Sequence, residues 1–433
     1  MTRCRIIQLA RLGDLLQSLP LCRALRERGE VELVLAFDPG QRLRREADRL
    51  RIVEPWSLAR AARRPALFLH RLRDALGGDE GLDAPVDLQI CLNEDPAATA
   101  LTRLLPARRK LGAGVPGDPY PSWLRLAVEH RRENRLQLAE AMLACLPGVA
   151  TPAPRAAEPG PGDLVMHAGS GSPARRLSAE FWTRLARELL ERIPHRRLLL
   201  TGGLLEQTDC AELERQIQRP DRVLNVSGSL DLDELQDLLD DAALVLAQDT
   251  GVLHLAAHLR RPLIGLYHGS ASARETAPWL DGAHVLQIRA DCAPCVEGQP
   301  SCADYFCRSR IRPDEVARLG AALVGVGGIP DLNGEECSHW ICRADAGGVR
   351  LVPAQGVEDP ASTAERERQL FLLRGLGSAA LPRDLALSHG RDWARQAGLT
   401  PAAWRDREWF HPPRDLAGQW HWLQGDSRQG ESA

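Results

Sequence analysis

Short apolar runs alternate with amphipathic stretches along most of the chain. Cys4–Leu9 has the pattern of a buried strand, followed by a turn at Gly13 and a helix from about Leu15 to Arg28. Val31–Phe37 and Val86–Leu92 predict two more strands. Pro96–Leu105 predicts a helix with proline in its first turn, and Arg135–Leu146 an amphipathic helix that closes this part. Strands alternating with helices imply a parallel sheet covered on both faces. Residues 151–162, TPAPRAAEPGPG, hold four prolines and predict an interdomain linker. The alternation then restarts. Strands are expected at Leu164–His167, Arg197–Thr201, Arg222–Val226, Leu244–Ala247, Leu263–Tyr267 and Val285–Ile288. Helices are expected at Ser178–Glu191, Glu206–Ile217, Asp231–Leu239 and Gly251–His258, with Ser178 as an N-cap. The pattern weakens near Gly327, where Gly, Pro and Trp become frequent, and six of the ten tryptophans lie at or after Trp340. Glu365–Leu373 and Leu385–Ala397 have helical spacing. The expected organisation is therefore 1–150, a linker at 151–162, 163–326, and an extension of unassigned fold at 327–433.

With 433 residues and 44% hydrophobic positions, the chain can bury sizeable cores. Its 55 basic and 58 acidic side chains leave a net charge of −3, which argues against general nucleic-acid attraction. Lys110 is the single lysine, so the other basic residues are arginine, a compositional bias. No apolar run approaches the length of a spanning helix, and the first residues lack an export signal. A cytoplasmic protein is expected, and its eleven cysteines are expected as thiols or metal ligands.

Candidate chemistry falls at the ends of the predicted strands, where open parallel sheets bind ligands. After the first strand, Leu12-Gly13-Asp14 sets a carboxylate that either accepts a proton from a hydroxyl or caps the helix. After Leu164–His167 comes Ala168-Gly169-Ser170-Gly171-Ser172-Pro173-Ala174-Arg175-Arg176, a phosphate cradle or a loop with solvated arginines. Thr201-Gly202-Gly203-Leu204-Leu205-Glu206 carries a glutamate that either bonds ribose hydroxyls or starts a helix. In Gln248-Asp249-Thr250-Gly251-Val252-Leu253-His254, a strand runs into a helix start suited to an anion, and His254 shares that opening turn region. Cys292, Cys295, Cys302 and Cys307 lie within sixteen residues. Four thiolates suit a structural zinc or iron, while reduced thiols or disulfides are the alternative.

These motifs, in this order on two doubly wound units, resemble glycosyltransferase family 9, the ADP-heptose:lipopolysaccharide heptosyltransferases. The resemblance covers about residues 3–325. It is strongest at Ile6–Pro20, Val165–Phe181 and Leu244–Tyr267, and Asp249-Thr250-Gly251…His254-Leu255-Ala256-Ala257 with Arg261-Pro262-Leu263-Ile264 is its most specific combination. It implies an α/β GT-B fold, two Rossmann-like domains facing across a cleft, and inverting transfer with no catalytic cofactor. Asp14 would be the general base. Ser170 and Arg175 would hold the donor phosphates, Glu206 the ribose, Asp249 the sugar, and Thr250, Gly251 and His254 the diphosphate region. His167-Ala168-Gly169 and Tyr267-His268-Gly269-Ser270 depart from the family's usual turns, and Arg175 stands where members often carry lysine.

The implied partners are ADP-heptose and a glycolipid acceptor, with the enzyme peripheral at the inner face of the cytoplasmic membrane. Residues 1–155 carry +6 and the remainder −9. Arginine-rich Gln41–Arg51 and Arg60–Arg73 would suit an anionic acceptor, or be solvated faces. Two alternatives stay open: a protein O-heptosyltransferase with a structural metal, and a non-catalytic sugar-nucleotide-binding scaffold. The oligomeric state is not indicated.

Overall fold

The computed structural model describes residues 2–53, 85–115, 118, 120, 121, 123, 124, 127, 131, 132, 134–146, 148–295 and 305–377. The chain forms two units, one built mainly from residues before 150, the other from 151–369 together with 130–140.

The first unit holds a sheet of β1 (Thr2–Gln8), β2 (Gly29–Leu35), β3 (Arg49–Ile52), β4 (Val86–Cys91) and β5 (Ala107–Gly112). Its order is β3-β2-β1-β4-β5, with every pairing parallel. The chain moves outward in one direction from β1 and returns to β4 on its other side. A crevice therefore opens beyond the carboxyl ends of β1 and β4. Asn93 Oδ1 accepts the Leu9 N–H at 2.5 Å and ties those two ends together. The helix Leu12–Arg26 begins earlier than expected, so Gly13 lies within its first turn and the chain bends at Ala10–Arg11 instead.

One sheet face carries a polar row that apolar patterning did not suggest. Arg5 on β1 stands opposite Glu32 on β2 and Gln89 on β4. Arg5 is fully buried, and its Nε donates to Glu32 Oε2 at 2.6 Å. Arg51 adds a second contact to Glu32 at 3.3 Å, and Gln89 donates to the Thr102 carbonyl. A guanidinium without water needs such a counter-ion. Within Gln41–Arg51, Arg44 pairs with Asp38 and Arg49 with Glu30, so part of that basic charge is met inside the unit. Arg60–Arg73 lies outside the described residues.

The second unit holds β6 (Leu164–His167), β7 (Leu198–Thr201), β8 (Val223–Asn225), β9 (Leu244–Gln248), β10 (Leu263–Tyr267), β11 (His284–Ile288), β12 (Cys337–Asp345) and β13 (Gly348–Pro353). The order is β13-β12-β11-β10-β9-β6-β7-β8. The six strands from β8 to β11 are parallel, and the direction of winding switches between β6 and β9. The expected limit at 326 does not hold, because β12 and β13 continue this sheet antiparallel from β11. The tight turn at Asp345–Gly348 makes the hairpin local. Leu385–Ala397 lies outside the described residues.

Helix caps follow the sequence closely. Ser178 Oγ accepts the Phe181 N–H, and Asp231 and Glu234 exchange side-chain-to-backbone bonds at 2.8 Å each. Phe181, Trp182, Leu185 and Leu189 of the helix Ala179–Arg192 join Val316 and Leu319 of Pro313–Leu323 in one apolar cluster with β6 and β9.

The proline-rich stretch is bonded to the second unit. Ala157 N–H donates to Asp281 O, Glu158 N–H to Arg260 O and Gly162 N–H to Asp241 O. Residues 130–140 also belong to this unit, which moves part of the expected first domain across the boundary. Arg131 grips Glu275 in a two-point fork at 2.7 and 2.6 Å and donates to the Ser270 and Cys295 carbonyls. Buried Glu140 pairs with Arg366, which also bonds Asp345. Among the described residues, no helix is long and apolar enough to cross a membrane.

Glu32→Ala would strand Arg5 in the core, and loss of one partner of a buried pair costs about 3 kcal/mol or more. A clear fall in the denaturation midpoint of the full chain is expected. The double variant Arg5→Met/Glu32→Ala should lose less than Glu32→Ala alone, and an unchanged midpoint for the single variant would contradict this role.

Candidate functional site

The winding changes direction between β6 and β9, so the loops that follow these paired strands diverge and frame a crevice. The sequence places its polar and glycine-rich motifs on these loops. Gln248, the last residue of β9, is fully buried and binds the loops together. Its Nε2 donates to the Ala168 and Gly169 carbonyls at 3.0 Å each. Its Oε1 accepts the Leu177 N–H at 2.8 Å and lies 3.1 Å from His268 Nε2. One amide thus fixes both ends of the β6 loop and the turn after β10.

The β10 turn meets the β6 loop a second time at Gly269. Its φ of +59° is left-handed, and a Cβ there would lie 2.0 Å from the Ala174 carbonyl oxygen. No side chain fits. Gly169 works similarly toward β7, because a Cβ would meet Glu206 Oε1 at 1.7 Å. Glu206 accepts the Gly203 N–H at 2.8 Å, so its carboxylate is held beside the β6 loop. His167, at the end of β6, bonds the Thr201 carbonyl through Nδ1. Burial lowers its pKa, and the Glu206 charge opposes that shift.

Asp249 begins the turn after β9 and is nearly buried. Arg175 Nη1 reaches its Oδ2 at 3.2 Å, and His254 Nε2 lies 3.5 Å from Oδ1. Burial pushes the Asp249 carboxyl up, but the hydrogen bond and charge of His254, together with the charge of Arg175, hold it below the usual carboxylate value. Thr250 is the N-cap of Gly251–His258, yet its side chain makes no cap bond. Among the described residues, its buried Oγ1 has no hydrogen-bond partner. The helix therefore presents its first N–H groups and an uncommitted hydroxyl beside an Arg–Asp–His cluster. Such a rim suits an anion whose charge grows during reaction. Ser170 is buried in the same unit, with its Oγ shared between the Ser172 N–H and carbonyl at 3.4 and 3.2 Å.

The structure thus assembles Arg175, Asp249, Thr250, Gly251 and His254 around one strand switch, with Glu206 on the neighbouring loop. Asp14 belongs to the first unit, at the β1–β4 switch, where its Oδ2 accepts the Arg11 N–H at 3.1 Å. That bond matches the capping role. Among the described residues, Cys292, Cys295 and Cys307 form no disulfide, and Cys302 lies outside the described residues. Among the described residues, no three His, Cys, Asp or Glu side chains group to hold a metal ion. Sequence reasoning missed Gln248, His268 and Gly269 as positioning residues. The one signal for Gln248 was a long polar side chain ending an otherwise apolar strand.

Residues 124–305 match the model of glycosyltransferase family 9 (heptosyltransferase). That stretch is similar to the family over less than half of the chain. The match spans the whole Arg175–Asp249–His254 cluster, while Asp14 lies before it. Lipooligosaccharide heptosyltransferase 2 of Haemophilus influenzae is 37% identical over 65 residues, which is 15% of this chain and 18% of that relative's length. The glycosyltransferase family 9 structure from Veillonella parvula aligns over 75% of this chain and 97% of its own, with a TM-score of 0.57 and 15% identity. That likeness establishes the fold, and the GT-B class with Rossmann-like units expected from the sequence is the class found. Within the matched stretch, Arg175, Asp249 and His254 sit where a doubly wound sheet binds ligands.

Gly269→Ala should lower the thermal midpoint, because both its φ and its packing reject a side chain; an unchanged midpoint would show that the turn yields freely. A pH effect follows from His268. Burial, the first cause, and nearby Arg308 push its pKa from 6.5 to about 4. The unfolded chain therefore binds an extra proton between those values, and stability falls as pH drops through that window. One histidine contributes at most about 1.4 kcal/mol per pH unit. His268→Gln should flatten the slope of stability against pH between 6.5 and 4, measured by denaturant unfolding. An unaltered slope would rule out this account.

Proposed function

We propose that the protein is an inverting glycosyltransferase that moves heptose from ADP-heptose to a lipopolysaccharide inner-core acceptor. The observation that carries this reading is the Arg175–Asp249–His254 cluster at the opening of Gly251–His258, inside the region matched to the heptosyltransferase family. Glycosyl transfer builds positive charge at the anomeric carbon and negative charge on the departing diphosphate. Arg175, the Thr250 hydroxyl and the first helical N–H groups face the departing charge. Asp249 stays ionised at neutral pH, since its carboxyl is held low, and so offers a fixed negative charge for the sugar. Ser170 shapes the phosphate loop. Glu206, fixed by Gly203, offers a carboxylate oxygen to the ribose hydroxyls.

Asp14 is the general base in this reading. One of its oxygens is occupied by the Arg11 N–H, which holds the carboxylate in one orientation. The carboxylate takes the acceptor proton as the hydroxyl attacks. A positioned base and fixed donors to the leaving group each contribute about two orders of magnitude or more. The acceptor is a glycolipid met at the inner membrane face, and the protein works in the cytoplasm.

Asp14→Ala should reduce transfer at least about a hundredfold while ADP-sugar binding persists. Arg175→Gln should weaken donor binding and slow turnover together. Thermal shifts with ADP-, UDP- and GDP-sugars check the donor, with ADP-heptose expected to stabilise most. Full activity in Asp14→Ala would remove the base assignment, and preferential stabilisation by a UDP- or GDP-sugar would overturn the donor.

A further inference from the structure

Arg131 reaches into the second unit from a segment 144 residues before its main partner. Its guanidinium makes bonds to three places there. Nε and Nη2 fork onto the two oxygens of Glu275 at 2.7 and 2.6 Å. Nη2 also donates to the Ser270 carbonyl at 2.7 Å, and Nη1 to the Cys295 carbonyl. Only 13% of the Arg131 side chain and 16% of the Glu275 side chain are exposed, so water and salt screen this pair weakly. A planar fork with several fixed donors suits such a three-way tie.

What Arg131 holds lies against the Arg175–Asp249–His254 cluster. Ser270 belongs to the turn after β10, whose Gly269 abuts the Ala174 carbonyl one residue before Arg175. Cys295 is tied to the same turn, since its N–H donates to the Gly269 carbonyl at 2.8 Å. Glu275 lies in the short helix Ala273–Thr276. Tyr267, at the end of β10, anchors that helix by donating to the Thr276 carbonyl at 2.9 Å. Burial pushes the Asp249 carboxyl up, and His254, Arg175 and the Thr276 side chain pull it down. Burial likewise pushes Glu275 up, the bonds and charge of Arg131 bring it down, and the charge of Asp249 pushes it up again. Glu275 and Asp249 are therefore electrostatic neighbours.

Two buried carboxylates close together stay ionised only when cations attend them. Arg175 and His254 face Asp249, and Arg131 faces Glu275. Without Arg131, Glu275 would confront Asp249 directly, and one of the two would take up a proton or move. The ion pair to Arg175 would shift with it. We propose that Arg131 is a positioning residue of this cluster, holding Glu275 and the Ser270 turn so that Asp249 meets Arg175 with no competing carboxylate. The proposal rests on the transfer reading only for what the cluster binds.

The test is a double-mutant cycle by denaturant unfolding of the full chain, with Arg131→Met and Asp249→Asn. Arg131→Met should raise the unfolding constant in both backgrounds, and at least about fivefold less with Asp249→Asn than without it. Additive effects would overturn the proposal, because an arginine that only tied backbone carbonyls would cost the same in both. Glu275→Gln keeps the cycle open should Arg131→Met fail to fold. It removes a like charge, so it should cost less stability in the native background than with Asp249→Asn, and equal costs would equally overturn the proposal. Calorimetric titration with ADP reads the cluster at work. Arg131→Met should weaken ADP at least about tenfold, and adding Glu275→Gln should recover most of that loss. No recovery would assign Arg131 to backbone support alone and overturn the proposal. Absence of ADP binding by the native chain would count against the transfer reading, and the unfolding cycle would then decide the role of Arg131 by itself.

Discussion

The second unit depends on one buried amide. Gln248 ends β9 where the sheet changes winding direction, and four polar groups from two loops converge on it. Backbone carbonyls leaving a strand end need donors, and water has little access there. By meeting them with a side chain, the protein fixes the β6 loop and the β10 turn to one atom group. Asp249 follows directly, so the ion pair to Arg175 inherits its geometry from this knot. Gly169 and Gly269 then allow the loops to approach within distances that any Cβ would forbid.

Electrostatics divides the molecule into positions where charge is matched and positions where it is held in reserve. Arg5–Glu32 and Glu140–Arg366 are closed internal pairs that specify packing. The Arg175–Asp249–His254 group is closed less tightly, and beside it lie the open Thr250 hydroxyl and helix amides. Buried neutral imidazoles add another layer. His284 and His339 touch across β11 and β12 at 2.9 Å, and burial drives both pKa values down, to about 3 and about 4. Neutral rings can share one proton as donor and acceptor, which lets that strand pair bury polarity without charge.

Much of the architecture was legible because apolar runs and caps are local signals. The helix Gly251–His258 and the strand Leu263–Tyr267 fall at their expected bounds, and Ser178 caps as its position suggests. The candidate donor loops were legible for a related reason, since glycine and polar clusters after a strand mark the only ends where a parallel sheet binds ligands. What escaped was long-range pairing. β5, ARRKLG, reads as a charged surface stretch until its neighbours are known, with Lys110 donating to the Arg103 carbonyl. Arg5 lies in an expected strand, but its partner Glu32 is 27 residues away. Gln248 carried no motif, and the role of Arg131 depends on a glutamate 144 residues later.

The β12–β13 hairpin has a consequence for how this chain can be divided. Six parallel strands alone would end at β11 with a row of unsatisfied amides and carbonyls, the kind of rim that recruits other polypeptides. The hairpin covers that rim and moves the open margin out to the short strand Gly348–Pro353, where Arg350 is charged and paired with Glu358. A fragment cut where the repeating pattern fades, near 326, would therefore lose a seal rather than an ornament, and self-association would be its natural fate.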